Sequence, residues 1–234
     1  KTFEDIWDQK ERKDEQSIFD FYKDQGAWSA FRQCVRHKDL EGLHMSYLRF
    51  LIESGAIQPG SHICEYGAGV APFVTTFLKY LDEESSKNLD VEITIVDVDC
   101  EHLNFAKYRL NEIKKSKNMT NLKLNFETVE PKKLPTFNNK LDALFCFEVL
   151  EHVPSPVSVI KNISQSMKPG GIYIENFIKH DREDDDDGPD LASARSERSK
   201  YYEYLDEYFN MLHPTKEQSL SNPSITRIWQ RNSL

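Results

Sequence analysis

From residue 61 onward, short runs rich in β-branched and aromatic residues alternate with longer runs at helical spacing. The short runs predict strands at 62–66, 91–97, 122–127, 141–147, 171–177 and 225–231. The longer runs predict helices at 70–81, 101–115, 157–167 and 191–212. Because strict alternation requires crossover connections, it favours parallel strands with helices on both faces. The sequence therefore predicts an α/β fold with a doubly wound, mostly parallel sheet.

Residues 1–58 have a different character. Apolar residues recur there near helical spacing among dense charges, and no strand-like alternation occurs. The pattern ends at Gly55 and at Pro59-Gly60. We expect an N-terminal helical cap over 1–58 and a second region over 59–234, which together form one structural unit.

Charge and cysteine usage narrow the class of protein. The chain has 39 acidic residues and 30 lysines and arginines among 234 residues, a net charge of −9. Since phosphate backbones attract positive surfaces, nucleic acid is disfavoured as a partner. No apolar run approaches the eighteen or so residues of a membrane span. The four cysteines form no C-x-x-C pair, so we expect buried reduced thiols and a cytoplasmic protein.

The first predicted strand runs into a glycine turn, Glu65-Tyr66-Gly67-Ala68-Gly69. A strand–glycine–helix junction is where α/β folds bind nucleotides, because glycine lets the backbone approach the ligand closely. The dinucleotide pattern G-x-G-x-x-G would need glycine where Pro72 stands, and the Glu65 carboxylate would repel a pyrophosphate. A carboxylate suits an ammonium or sulfonium group instead, which indicates S-adenosylmethionine.

The second predicted strand ends at Asp97. At the carboxyl end of a parallel strand, this carboxylate can accept both ribose hydroxyls of an adenosine. The interval from Gly67 exceeds the usual spacing of about 20 residues, and the polar stretch 82–90 accounts for the excess as a surface loop. The alternative is an exposed aspartate at a strand end.

Five motifs over about residues 55–177 resemble those of the class I S-adenosylmethionine-dependent methyltransferases. They lie at 64–69, 96–99, 130–135, 147–153 and 167–171. The resemblance implies a Rossmann-like sheet, a small-molecule substrate and a group similar to the ubiquinone-biosynthesis methyltransferases. The cofactor-binding residues that it implies are Glu65, Tyr66, Gly67, Ala68, Gly69, Asp97, Val98, Glu130 and Phe147.

The resemblance also implies individual roles. Glu130 would contact the adenine amino group, although Pro131 has no N–H to add. Phe147 would offer its backbone to the methionine part of the cofactor, and His152 is the nearest candidate base. Helices at the N-terminus cover the active site in this family, so His37 and His44 are candidate substrate contacts. The family sheet closes with an antiparallel hairpin, of which the sequence shows only the strand at 225–231.

The segment after the fourth predicted strand suggests a metal site as an alternative. Glu148, Glu151 and His152 have i, i+3, i+4 spacing, which on a helical turn puts all three side chains on one face. Together they could hold Mg²⁺ or another divalent metal, with His180 as a fourth ligand. The other interpretation of His152 is a helix-start histidine held by packing.

Two later segments bear on substrate and assembly. The run 181–190 has seven carboxylates against the single Arg182, so it is either a lid that selects a cationic substrate or a solvated loop. We expect the aromatic residues of 201–209 to pack on the core or on a second subunit, which leaves a homodimer open, with lining of the substrate pocket by part of them as the alternative.

The sequence predicts an S-adenosylmethionine-dependent methyltransferase acting on an O, N or C nucleophile of a small molecule. Two alternatives remain beside it. The first is a metal-assisted RNA 2′-O-methyltransferase, which the basic stretch Lys114-Lys115-Ser116-Lys117 supports locally. The second is a non-catalytic module that binds a cofactor or a partner.

Overall fold

The computed structural model describes residues 14–38, 40–83, 89–137, 140–177, 191–215, 218 and 225–233. Seven strands form one sheet in the order β3-β2-β1-β4-β5-β7-β6. The strands are β1 Ser61–Tyr66, β2 Val91–Val98, β3 Leu122–Val129, β4 Leu141–Cys146, β5 Met167–Glu175, β6 Phe209–His213 and β7 Arg227–Arg231. Strands β1 to β5 pair in parallel, while β7 pairs antiparallel with both β5 and β6. The predicted doubly wound, mostly parallel sheet is confirmed.

Seven helices accompany the sheet in the described part of the chain. They are α1 Glu15–Lys23, α2 Ala27–Lys38, α3 Glu41–Glu53, α4 Pro72–Glu83, α5 Glu101–Ser116, α6 Pro156–Ser166 and α7 Ala192–Tyr208. Helix α1 begins with a capping box between Asp14 and Ser17. Helix α6 begins at Pro156 behind the N-cap Ser155. Among these helices, none combines the length and apolar character that a bilayer crossing needs.

One predicted element is wrong. The helix predicted over 191–212 ends at Tyr208, and Phe209–His213 form strand β6. Phe209 is buried against the Tyr173 ring and faces Arg231 of β7 in the strand pairing. Aromatic residues continue at helical spacing from Tyr204 through Tyr208, so the sequence does not show where the helix ends and the strand begins. Pairing with the distant strand β7 decides the conformation, and the closing antiparallel strand pair is present.

Two apolar clusters cover the faces of the sheet. Helices α3, α4 and α5 pack on one face, where Leu51, Phe77 and Leu103 are buried. Helices α6 and α7 pack on the other, where Ile160 and Leu205 are buried. The strand order reverses between β1 and β4. In such sheets the crevice at the carboxyl ends of the strands beside this reversal is the ligand site.

A buried polar network fixes the second face. The Glu175 carboxylate accepts hydrogen bonds from Trp229 Nε1 at 3.0 Å and from the Phe177 amide at 2.6 Å. Arg227 Nη1 lies 4.0 Å from the same carboxylate and donates to the Phe177 carbonyl at 3.0 Å. Burial raises the pKa of Glu175 to about 7, against the effect of Arg227. This network joins β7 to the end of β5, next to the crevice.

Candidate cofactor and active site

The glycine turn lies at the end of β1 and is closely packed. Gly67 has a φ of 67°, and a Cβ added there would lie 2.6 Å from Val149 Cγ1 and closer still to Cγ2. Gly69 has a φ of 53°, and its Cβ would lie 2.7 Å from Gln33 Oε1. The Ala68 amide donates to the Val96 carbonyl at 3.0 Å, which ties the turn to β2. Gly67 is therefore required by its conformation and by the stiff Val149 side chain. At Gly69 the positive φ carries the requirement, because the end of the Gln33 side chain can move.

Asp97 lies beside this turn, as the sequence predicts. One carboxylate oxygen accepts a hydrogen bond from the Gly69 amide, and the other accepts from the Val98 amide at 2.6 Å. Burial raises the pKa of Asp97 to about 6, while these two bonds oppose the rise. A carboxylate has about four acceptor sites, so Asp97 keeps capacity for two further donors. A ribose diol is a donor pair of that kind.

We expect the Asp97→Asn variant to bind S-adenosylhomocysteine about 10- to 100-fold more weakly, since hydrogen bonds to a charged group contribute about 1.5–3 kcal/mol. Isothermal titration calorimetry measures the change. The matched control is Asp99→Asn, because Asp99 is exposed two residues further on. Equal losses of affinity in both variants would contradict a specific role for Asp97.

The Glu65 carboxylate lies elsewhere than the sequence suggests. Its oxygens accept hydrogen bonds from the Phe73 and Val74 amides at 3.1 and 3.0 Å, at the first turn of α4. A carboxylate is favourable at a helix N-terminus, where amides lack partners. Both oxygens thus serve α4, and direct contact with a cofactor ammonium stays a prediction that this geometry does not support. Tyr66 is buried in the apolar cluster on the α6–α7 face.

We expect Glu65→Gln to lower the free energy of unfolding by about 1–3 kcal/mol, because an amide cannot accept from both backbone donors. Burial raises the pKa of Glu65 to about 7, above its ordinary value. The stability that this group contributes is thus full below about pH 4.5 and is lost as the pH rises through about 7. The destabilisation should therefore be larger at pH 4.5 than at pH 8 in urea unfolding.

The control for this comparison is Glu92→Gln, since Glu92 pairs with Lys123 at the surface and an exposed pair contributes about 0–1 kcal/mol. If Glu65→Gln left the free energy of unfolding unchanged and weakened cofactor binding, the result would instead support direct contact between Glu65 and the cofactor ammonium.

The proposed metal ligands after β4 do not form one cluster of three. Glu148 has a φ of 54°, so the chain is not helical there, and only Leu150–His152 form a single 3₁₀ turn. The Glu148 carboxylate accepts from Asn176 and lies 4.0 Å from Arg36, whereas Glu151 is buried. The prediction that Glu148, Glu151 and His152 share one face is wrong. Within the described ranges no three His, Cys, Asp or Glu side chains are placed to hold a metal ion, and His180 lies outside those ranges.

His152 and Phe147 lie in different surroundings. The His152 ring packs near Tyr22, with 6.3 Å between ring centroids, and its Nε2 lies 4.0 Å from Glu151. Phe147 stacks instead on His44 at 5.7 Å and on Tyr47 at 6.0 Å. A role for His152 as the base stays a prediction, while the structure groups Phe147 with the helical cap.

Glu130 lies at the end of β3. It forms an isolated bridge with Lys133, and its carboxylate accepts from Lys133 Nζ at 3.4 Å. Its predicted contact with the adenine amino group stays a prediction.

Two histidines that sequence reasoning treated only as candidate substrate contacts form the inner wall of the cap. His44 on α3 stacks on Phe147 and meets the Phe73 ring edge-on at 5.8 Å. The Nδ1 atoms of His37 and His44 are buried and have no hydrogen-bond partner in the described part of the chain. Burial lowers the pKa of each imidazole to about 4, with Arg36 adding to the effect on His37. Both rings are thus neutral at pH 7 and can accept a proton.

Helix α2 covers the glycine turn. Ser29 Oγ lies 3.2 Å from His102 Nε2 on α5, and Arg109 donates to Cys34 Sγ at 3.4 Å. At the other side, Arg36 reaches Glu148 beyond β4. Gln33 lies between these contacts, beside Gly69. The helix therefore crosses the carboxyl edge of the sheet from α5 to the loop after β4.

Comparison with known proteins agrees with this geometry. Residues 64–173 match a family model described as a methyltransferase domain. A ubiquinone biosynthesis O-methyltransferase of Colwellia psychrerythraea is 34% identical over 38% of this chain and 34% of its own length. A ubiquinone/menaquinone biosynthesis C-methyltransferase of Shewanella sediminis is 24% identical over 75% of this chain and 69% of its own length. The chain thus spans about a third of the first relative and about two thirds of the second.

A solved structure shares the fold. The crystal structure of an S-adenosylmethionine-dependent methyltransferase from Aquifex aeolicus superposes with a TM-score of 0.50 at 15% identity, over 78% of this chain and 87% of that one. At that identity the likeness concerns the fold alone. The sheet order, the glycine turn joined to Asp97 and the family match over 64–173 lead to one conclusion. The fold and the domain over 64–173 are thus similar to those of the class I S-adenosylmethionine-dependent methyltransferases.

Proposed function

We propose that this protein transfers a methyl group from S-adenosylmethionine to a hydroxyl oxygen of a small molecule bound under helix α2. The observation that carries the proposal is the cradle formed by Gly67, Gly69 and Asp97, in which added Cβ atoms would clash and a carboxylate retains acceptor capacity. The named relatives, O- and C-methyltransferases of quinone biosynthesis, support a small cyclic acceptor.

The residues present fit this cofactor. In the proposal the Gly67–Gly69 turn lets the backbone approach it, and Asp97 accepts the ribose hydroxyls. Glu130 stands at the adenine end, and the Phe147 backbone faces the methionine part. When bound, the cofactor supplies a methyl group on a sulfonium for in-line displacement. The chain contributes mainly by holding the acceptor in line, which alone can supply much of the barrier reduction.

We assign to His44 the role of the base that accepts the proton of the acceptor hydroxyl. As the acceptor oxygen bonds to the methyl carbon, its O–H becomes strongly acidic, so even an imidazole with a pKa of about 4 can take the proton. The C–S bond breaks at the same time and leaves S-adenosylhomocysteine. An amine acceptor would keep its proton as an ammonium and gain little from such a weak base. The buried Nδ1 of His44, which has no partner among the described residues, therefore favours a hydroxyl acceptor.

The structure bears differently on the three alternatives to this proposal. The RNA 2′-O-methyltransferase hypothesis depended on Glu148, Glu151 and His152 acting together, and among the described residues no three His, Cys, Asp or Glu side chains are placed to hold a metal ion. The proposal of a cationic substrate depended on the acidic run 181–190, which lies outside the described residues. The third alternative is a non-catalytic module that binds the cofactor, and an activity test must distinguish it from a methyltransferase.

The test is transfer of labelled methyl groups from S-adenosylmethionine to matched phenols, catechols and anilines of similar size. We expect label in the hydroxyl compounds, equimolar S-adenosylhomocysteine, and unchanged turnover in excess EDTA. Transfer to the anilines alone would contradict the hydroxyl assignment. Binding of the cofactor without transfer to any acceptor, a small RNA duplex included, would favour a non-catalytic module.

A further inference from the structure

Helix α2 has its polar side inside and its apolar side outside. Ser29, Gln33 and Cys34 lie on the inner side, where they meet α5 and the glycine turn. Trp28, Phe31 and Val35 are 71%, 56% and 56% exposed. A surface helix ordinarily packs its apolar stripe on the core and shows polar residues to water. In α2 this arrangement is reversed.

The exposed apolar residues form one stripe. At 3.6 residues per turn, Trp28, Phe31 and Val35 project within about 60° of one another. The Trp28 and Phe31 rings stack, with 5.3 Å between their centroids. The neighbouring helix α5 adds two exposed rings, Phe105 and Tyr108, at 38% and 67% exposure. Exposed apolar surface concentrated at one place marks an interaction site.

Cations border this stripe on both sides. Arg32 and Arg36 follow it on one side of the helix and Lys38 on the other, by the same helical projection. Helix α2 has no acidic residue, although the whole chain has a net charge of −9. Arg36 lies 4.0 Å from Glu148, but Arg32 and Lys38 still make the outer face of α2 (Trp28, Phe31, Arg32, Val35, Arg36 and Lys38) locally basic and apolar at once. Its partner must offer negative charge around an apolar interior.

We propose that the outer face of α2 binds an anionic lipid surface. Helices that lie in a membrane interface combine a Trp/Phe stripe with flanking Lys and Arg, as this one does. Tryptophan favours the boundary between headgroups and acyl chains, and the cations complement anionic headgroups. A two-fold symmetric dimer through this face would instead bring Arg32 and Lys38 of each copy against the basic face of the other.

The position of α2 links lipid binding to the site. The inner side of the same helix covers Gly69 and carries His37, so a helix held on lipid by its outer face would lie between the lipid and the glycine turn. A protein docked in this way would receive an apolar, hydroxyl-bearing acceptor from the lipid phase. This last step depends on the proposed function, whereas the lipid binding itself can be measured without turnover.

The test is co-sedimentation with vesicles of phosphatidylcholine alone or with phosphatidylglycerol added. We expect binding to the anionic vesicles, little to the neutral ones, and release in high salt. The double variant Trp28→Ser/Phe31→Ser should bind at least 10-fold more weakly, and Arg32→Gln/Lys38→Gln should lose the preference for anionic lipid. Leu212→Ser is the control, because Leu212 is an exposed apolar residue far along the chain, in β6.

Each variant counts as folded if its affinity for S-adenosylhomocysteine stays within about twofold of the wild-type value. The proposal is overturned if the wild type ignores anionic vesicles or if the double variant binds them equally well. It is also overturned if the double variant only converts a dimer into a monomer in analytical ultracentrifugation, since the face would then serve self-association.

Discussion

The Gly67→Ala variant is expected to lose up to about 100-fold in affinity for S-adenosylmethionine and S-adenosylhomocysteine. The added Cβ would lie 2.6 Å from Val149 Cγ1, at a position whose φ is 67°. Because Val149 belongs to the loop after β4, the clash would force apart the two loops that form the cradle. Overpacking of this kind costs about 1–3 kcal/mol, and the upper end corresponds to that loss of affinity. Calorimetric titration measures it.

Gly60→Ala separates the clash from backbone strain. Gly60 has a φ of 87°, yet nothing lies within 4 Å of an added Cβ. This control should lower the free energy of unfolding by about 1–2 kcal/mol and leave cofactor affinity within about twofold. Adding Val149→Ala to Gly67→Ala removes both Cγ atoms and should recover part of the affinity. If Gly67→Ala behaves like Gly60→Ala, the close packing of the cradle is not what cofactor binding requires.

Removal of the His44 imidazole is expected to lower kcat by about 100- to 10,000-fold, the range for a lost general base. His44→Phe is the informative variant, since a phenyl ring keeps the stacking on Phe147 but accepts no proton. Affinity for S-adenosylhomocysteine should change little, because the glycine turn and Asp97 remain. The measurement is single-turnover methyl transfer to the best hydroxyl acceptor at saturating cofactor.

His152→Phe is the matched control for the base. The structure places His152 against Glu151 and Tyr22, so this variant should retain turnover within severalfold. If His152→Phe lost much of its kcat while His44→Phe stayed close to wild type, the base would be His152, as the sequence motif indicates. A loss of cofactor affinity in His44→Phe would instead show that the ring positions Phe147.

The pH dependence of the wild type adds an independent check. Burial lowers the pKa of His44 to about 4. Its imidazole therefore stays neutral at pH values at which an ordinary histidine is already protonated. Turnover should therefore show no loss from protonation of this base between about pH 8 and pH 5. Burial raises the pKa values of Asp97, Glu65 and Glu175 to about 6 to 7. Only a fall in kcat near pH 6.5 that disappears in His152→Phe would therefore indicate a solvated histidine as the base.

The features that sequence reasoning predicted are local ones. Strands β1 to β5 are short apolar or alternating runs, the glycine turn follows directly from β1, and Asp97 lies at the end of β2. Since the carboxyl ends of parallel neighbours meet at one edge, Gly69 and Asp97 come together without any further information. The family motifs depend on the same local order.

The features that it missed depend on distant contacts or on one backbone angle. The strand at Phe209 forms because β7 pairs with it, across a long separation. The Glu148–His152 segment carries helical spacing, yet a φ of 54° at Glu148 ends that regularity. His44 meets Phe147 only because α3 packs over the sheet edge. Glu65 looks like a ligand in sequence, since nothing there reveals that α4 needs its carboxylate.

The most direct test is calorimetric titration of S-adenosylhomocysteine into the wild type, Gly67→Ala and Gly60→Ala proteins, each shown to be folded. We predict saturable one-to-one binding to the wild type, displaced by S-adenosylmethionine, with near-equal affinity in Gly60→Ala and an affinity up to about 100-fold weaker in Gly67→Ala. The absence of heat from the folded wild type at two temperatures would contradict a cofactor site at this turn, and so would undiminished binding to Gly67→Ala.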